Sequence, residues 1–257
     1  MSRLTTFLAL GIGILLVAAV AALATGTIAF LWNPEALAIV FGGSILATVE
    51  SSSPQQVLTA LRWTGAIVKP RADELVLAEW WLQLALRWRH EGISGLKVAA
   101  SSAPSDTVAA IAELCADGLD AASIVALAEE LVQTRHRSIE QAIAFYRRLA
   151  GYAPTMGIIG TVIGLAAALG STAADPAHLL QRIGFAFSAT LWGLVTANFL
   201  WLPLAQRLQV ALDDERALDR LHIQAARYAA EGITPLLMRY RLAMLLPQER
   251  RNQLLRQ

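Results

Sequence analysis

The chain has 257 residues, of which 56% are hydrophobic and only 16% charged, with a mean hydropathy of +0.49. Ordinary soluble domains are about a quarter charged, so the deficit argues against a purely water-solvated domain and for a lipid bilayer as part of the solvent. Its 21 Lys and Arg balance 20 Asp and Glu, leaving no clustered basic footprint for nucleic acid, and the single Cys115 excludes an internal disulfide framework or a thiolate metal cluster.

A spanning helix needs about 20 largely apolar residues. The first such stretch runs from about Leu4 to Leu31 without a charge. A secretory signal is the alternative, with Arg3 ahead of it and Ala22-Leu23-Ala24 resembling a cleavage site. Signal cores run only about 7–15 residues, however, and this stretch is far longer. A second run, Glu35 to Thr48, is short for a span and is closed by Glu50 and Ser51-Ser52-Ser53-Pro54. It reads as a span or as a buried, re-entrant helix.

From Gln55 to Arg148 charges recur every few residues. Leu77, Trp81, Leu84 and Trp88 predict a helix from Asp73 to Arg89, and Asp120 to Arg148 is predicted helical as well. For both, the plain reading is an apolar face on a neighbour and a solvated charged face. Two longer uncharged runs follow, Ala153 to Thr172 and Ile183 to Ala205, joined by a short polar link. Between Glu140 and Ala166 only Gly151 and Pro154 interrupt helix-forming sequence, so the third span is expected to extend the preceding helix. The tail from Gln206 is charged again.

The expected fold class is thus an all-α integral membrane protein with four transmembrane helices. Helices 1 and 2 fall within 1–54, a cytoplasmic helical domain within 55–150, helices 3 and 4 within 151–206, and a cytoplasmic helical tail within 207–257. Basic residues gather on the cytoplasmic side. On a four-span count, 20 of the 21 Lys and Arg lie on one side, Arg182 being the exception. Both termini are then cytoplasmic, and unpaired Cys115 lies in a reducing compartment.

The polar inventory of the spans is informative. The third carries Thr155 and Thr161; the fourth carries Ser188, Thr190, Thr196 and Asn198. None of the four has a titratable side chain near its middle, although proton relays through membranes usually need one at depth. A chain of this kind that moves ions must borrow its carrier, and a partner helix is expected to supply a carboxylate. Each hydroxyl has a competing role, bonding to its own helix or a neighbour. Gly157, Gly160 and Gly164 share one helix face and allow close helix approach. Pro154 and Pro203 read either as static kinks or as a paired hinge at one membrane level. Trp32, Trp63 and Trp201 flank the spans as interface anchors.

The stretch from Gly151 to Leu165, GYAPTMGIIGTVIGL, closely resembles the third span of the MotA branch of the MotA/TolQ/ExbB proton-channel family. Phe187 to Asn198, FSATLWGLVTAN, followed by Pro203, resembles its fourth, and Ala38 to Pro54 is similar to its second span and exit. The likeness covers nearly the whole chain in the same order. It implies a pentamer around a dimer of MotB-like single-span partners whose membrane aspartate carries the ion. It also implies that Thr161 and Thr190 line the ion route, with Ala189 beside them, and that Pro154 and Pro203 couple ion passage to conformational change. Sodium-using relatives tend to carry Thr-Thr where this chain has Ala189-Thr190, which favours H+ over Na+.

Flagellar members present a basic residue to the rotor and an acidic one eight positions on. Arg89 matches the basic position, but the acidic one falls on Lys97, with Glu91 a candidate to compensate. The leading expectation is the ion-conducting stator subunit of a flagellar motor, with a flagellar rotor protein as a further partner. The alternatives are a paralogous motor serving gliding, envelope energy transduction or phage defence and, from another class, a non-conducting membrane scaffold. No nucleophile arrangement, metal cluster or phosphate-binding glycine loop is found, so no enzymatic activity and no cofactor are expected.

Overall fold

A computed structural model of the protein describes residues 32–66, 73–170 and 176–256, with Gly11 and Ala19 as isolated positions. The first predicted span lies outside the described residues apart from those two positions, as does 171–175 of the polar link. Every described element is helical.

Helix α1 occupies 34–50. It begins as Pro34–Leu37, widens to a π turn over Ala38–Gly42 and finishes as Gly43–Glu50. Asn33 caps it, its Oδ1 accepting from the Ala36 amide at 3.1 Å, and Pro34 opens its first turn. The whole helix is roughly 25 Å long at the helical rise, a little short of the ~30 Å hydrocarbon core. Then come α2 (Pro54–Ala66), α3 (Glu74–Ser101), α4 (Asp106–Ala116) and α5 (Ala121–Leu169). Helix α6 (Pro176–Thr196) passes through a second π turn, Ala197–Trp201, into α7 (Leu202–Ala230). Helices α8 (Pro235–Ala243) and α9 (Gln248–Arg256) close the chain.

Two of these helical stretches, Ala121–Leu169 and Arg182–Ala230, are long and apolar enough to cross a membrane. They contain the third and fourth predicted spans. As the sequence suggests, the third is continuous with the helix before it, whose start is capped by Asp120 accepting from the Ser123 amide at 3.4 Å. That bond holds the exposed Asp120 carboxyl below its usual range.

The chain forms two compact units. One holds the described residues before position 69 together with Ser138–Val210; the other holds those of Lys69–Arg137 and Ala211–Gln257. This departs from the expected division at 55, 150 and 206. Helices α5 and α7 each continue past the ends of the uncharged runs, and two of the three divisions, at 137/138 and 210/211, fall within them.

In the first unit, Val40, Ala153 and Ala197 form a buried cluster flanked by Trp192 and Trp201. Trp201 lies edge-on to Phe41 (centroids 6.2 Å apart) and stacks on Tyr146 at 19°. It is therefore a packing residue between helices rather than a peripheral anchor. Trp63 donates to Ser138 Oγ at 2.9 Å, and Thr64 shares a 2.6 Å hydrogen bond with Tyr146, tying α2 to α5. Trp32 is 78% exposed, as an anchor should be.

The second unit shows that the charged tail is half of a core. Leu221, Ala225, Met238, Leu242 and Leu254 pack with Leu77, Trp81, Leu84 and Ile111. Trp81 is fully buried and its indole donates to His222 Nδ1 at 3.0 Å; burial pushes the His222 imidazole down to about 4, keeping it neutral and able to accept. His136 and Asp219 pair at 2.7 Å, and Arg135 joins Thr107 at 2.6 Å to Glu215 at 3.1 Å. Burial raises the Asp219 carboxyl, against the pull of His136. Cys115 is buried too, its thiol pushed up to about 12 and so unreactive.

Candidate functional site

Helices α5 and α6 meet along a seam of small residues in antiparallel register. A Cβ added at Gly164 would lie 2.8 Å from Ala186 Cβ, at Gly160 2.8 Å from Ala189 Cβ, and at Gly157 2.8 Å from the Ala189 carbonyl oxygen. Gly193 answers from the other helix: its Cβ would fall 2.7 Å from the Ala153 oxygen and 3.1 Å from Pro154 Cα. The three glycines read from the sequence thus face Ala186, Ala189 and Gly193, a matching small-residue pattern that sequence reasoning missed. Alanine passes for a generic apolar residue, so only the shared i, i+3, i+7 spacing could have exposed it.

This close approach brings the two threonines together. Thr161 Oγ1 and Thr190 Oγ1 are 2.6 Å apart, both half-buried. Thr161 also reaches the carbonyls of Gly157 at 3.1 Å and Ala186 at 3.0 Å, and Thr190 reaches Gly157 O at 3.4 Å. Two hydroxyls bring two protons and four lone pairs. With either threonine as donor inside the pair, a backbone carbonyl can take the other proton and lone pairs remain to accept. The site can therefore solvate a proton carrier or pass a hydrogen bond along, but it cannot itself store a charge. Ala189 does not join the pair; it is buried with its methyl group against Gly160.

The other hydroxyls of these helices bond to their own turns. Thr196 donates to Trp192 O at 2.8 Å, Thr155 to Gly151 O at 3.0 Å, and Thr48 of α1 to Ser44 O at 2.7 Å. Asn198 does the same to Leu194 O at 2.9 Å. Ser188 differs, because it also accepts from Asn33.

Helix α1 is fastened to the same seam. Asn33 Nδ2 donates to Phe185 O and to Ser188 Oγ, each at 3.1 Å, while its Oδ1 caps α1. Ile39 lies near Gly160, and Gly43 fits under Met156. The Asn-Pro pair opening an apolar run was the available signal for Asn33.

The two prolines do not sit at one level. Antiparallel packing sets Pro154 beside Gly193, whereas Pro203 is ten residues further along, about 15 Å at the helical rise. There it lines a shallow groove with Arg147, Asn198 and Gln206. The π turn Ala197–Trp201 contains Phe199, whose carbonyl the Pro203 ring would otherwise crowd, and the wider turn relieves that clash. A paired hinge at one depth is thus replaced by two separate irregularities.

In the second unit, Arg89, Glu91 and Lys97 are all exposed and bracket a sharp bend in α3. Gly92 makes the bend with φ 65° and ψ −152°, a region essentially restricted to glycine. A Cβ on Gly95 would lie 2.7 Å from Glu91 Oε2 and 3.3 Å from Arg87 O, so the chain after the bend lies close against the turn before it. Arg89 and Glu91 precede the bend and Lys97 follows it, all three exposed. Among the described residues no group of His, Cys, Asp and Glu is arranged to hold a metal ion.

Residues 97–218 match the model of the MotA/TolQ/ExbB proton channel family. Motility protein A of Bacillus subtilis is 29% identical over 224 residues, covering 85% of this chain and 82% of the relative. Chemotaxis protein PomA of Vibrio alginolyticus is 27% identical over 212 residues, 82% of each. The flagellar MotAB stator complex from Bacillus subtilis superposes with a TM-score of 0.78 at 28% identity, covering 94% of this chain and 97% of the matched one. MotAB of C. jejuni shares the fold, with a TM-score of 0.88 at 19% identity over 96% of this chain and 97% of that one. Residues 97–218, which hold the glycine seam and the threonine pair it brings into contact, thus match the MotA/TolQ/ExbB proton channel family, and the chain is similar over most of its length to motility protein A.

Proposed function

We infer that this chain is the ion-conducting subunit of a flagellar stator, turning ion flow into torque together with a MotB-like single-span partner. The observation that carries the reading is the 2.6 Å Thr161–Thr190 pair between two apolar helices whose uncharged runs contain no group able to hold a proton. Such a site has hydrogen-bonding capacity and lacks a carrier, and a carboxylate on a partner helix completes it. The near full-length likeness to a flagellar stator supports the same conclusion. On this reading the chain crosses the bacterial inner membrane four times with both termini in the cytoplasm. It forms a homo-oligomer, a pentamer by family resemblance, around its partner, and moves H+ in preference to Na+. Thr161 and Thr190 line the ion route, and Pro154 and Pro203 adjust the helices as the ion passes. Arg89 and Glu91, with Lys97, face the rotor.

The test is co-expression with a single-span partner bearing a membrane aspartate, followed by acidification of inverted vesicles under a proton gradient. Flux that requires both chains and disappears with the partner's Asp→Asn change is the expected result; no flux with both chains inserted would overturn the reading. A second reading, a paralogous motor driving another machine, draws on exposed Lys97 where flagellar relatives place an acid. It predicts flux without restored swimming.

A further inference from the structure

Helix α8 carries an apolar face that the described residues leave bare. Leu236, Leu237, Tyr240, Met244 and the following Leu245 are 43–64% exposed, while Met238 and Leu242 of the same helix are buried in the core of the second unit. With about half of each side chain uncovered, the patch amounts to roughly 400 Å², a size that marks an interaction site. Arg241 stands at its edge, 5.0 Å over the Tyr228 ring and without an ion pair among the described residues. Lipid does not cover this face: α7 runs on from Ala205, where the uncharged run ends, to Ala230 before α8 begins, about 37 Å at the helical rise. A second bare face lies on α5, in the same unit. Leu127 and Leu131 are each 42% exposed and share a stripe with Glu130 and Thr134 at helical spacing. Ile124, Ala128 and Val132 point instead into the core that Met238 and Leu242 enter. Glu130, like Arg241, has no ion pair among the described residues. Both faces are exposed, so they do not cover each other within one copy. One is apolar with a cation at its edge, the other apolar with an anion, and the two are complementary.

We propose that α8 of one copy docks on the Leu127–Thr134 face of α5 in a second copy, with Arg241 meeting Glu130 across the contact. Because the two faces differ, the contact is head-to-tail and repeats from copy to copy until a ring closes. The inference rests on the reading of the chain as a homo-oligomer and names a contact outside the membrane that joins its copies. Two such faces together bury roughly 800–1,000 Å², the lower edge of specific interfaces. That suits copies already gathered in one membrane better than a dimer formed from free solution.

The experiment places one reactive thiol on each face of the full-length chain, by Tyr240→Cys or Leu131→Cys, the native Cys115 being buried. A short bismaleimide is applied to membranes that also hold the single-span partner, and the products are separated on a denaturing gel. Co-expression of the two single variants is expected to give covalent dimers, and the double variant a ladder of higher oligomers. Either single variant alone is expected to cross-link about fivefold less, since a head-to-tail contact keeps like faces apart. Starting from the double variant, Glu130→Arg and Arg241→Glu are each expected to lower the yield about threefold or more, and together to restore it to within about twofold. No cross-linking of the mixture while native mass spectrometry shows an intact oligomer would overturn the proposal, as would the absence of any oligomer. Equal cross-linking by one single variant would overturn it in favour of a two-fold contact, and cross-linking to a different protein alone would give the patch to that protein. The two readings fail separately: a full ladder without proton flux counts against conduction only, and normal flux without a ladder counts against this contact only.

Discussion

Replacing Thr190 by valine separates conduction from stability. Valine keeps the branched shape, so the seam beside Ala189 and Gly157 is not overfilled. After the change Thr161 still has carbonyl acceptors at 3.1 and 3.0 Å, Gly157 O and Ala186 O, so no buried donor is orphaned. The stability loss is therefore that of one ordinary hydrogen bond, about 1 kcal/mol or less. The effect on flux is larger in proportion: one missing hydrogen bond of ~1.4 kcal/mol at the barrier slows passage about tenfold. Thr161→Val is less clean, because it leaves Thr190 only the Gly157 carbonyl at 3.4 Å. The assay pairs proton flux in partner-containing vesicles with thermal unfolding of the same preparation. Unchanged flux would reduce the pair to a packing contact, and a flux loss that merely tracks loss of folded protein would refute the separation argued here.

Three further outcomes can be checked. Gly193→Ala places a methyl group against fixed backbone, 2.7 Å from Ala153 O, with no flexible side-chain end to yield, and is expected to cost about 1–3 kcal/mol in thermal unfolding; a silent substitution would mean that the helices separate freely. His222 stays neutral when folded down to about 4, against 6.5 ordinarily, so the unfolded chain binds more protons in that window and stability falls as pH falls through it. The loss by pH 4 is on the order of 3 kcal/mol; melts of the full chain between pH 7.5 and 4.5 should show this slope and His222→Gln should flatten it, parallel slopes being the contrary result. Lys97→Glu is expected to improve swimming of a flagellated host that depends on this chain, whereas unchanged motility in soft agar favours another driven machine.

Periodicity made part of this molecule legible. The long α5 helix, the buried stripe of Leu77, Trp81 and Leu84, and the glycine face of the third span all repeat at helical spacing within one segment. What stayed hidden depends on partners remote in sequence. His222 reads as one charged-tail residue among many until Trp81, 141 positions away, donates to it. Asp219 and His136 are likewise 83 positions apart. Trp201 sits where an interface anchor belongs, and only the contacts with Phe41 and Tyr146 show otherwise. The offset between Pro154 and Pro203 follows from the antiparallel register, which neither helix encodes alone. The candidate site was half readable: both threonines were identified from their motifs, but the seam that brings them together depends equally on Ala186 and Gly193.

The wide turn at Ala197–Trp201 has a consequence for the genetics of this chain. A π turn holds one residue more than the α-helix around it, and each α-helical residue turns the chain by about 100°. Deleting one codon there would let the segment close as an ordinary α turn, leaving Pro203 and the side chains after it facing much as before, whereas a deletion elsewhere in the helix turns everything beyond it by about 100°. The wide turn is thus the one place in this helix where a residue can be lost without a change of phase. A helical wheel drawn straight through 190–210 misassigns everything on the far side of the turn.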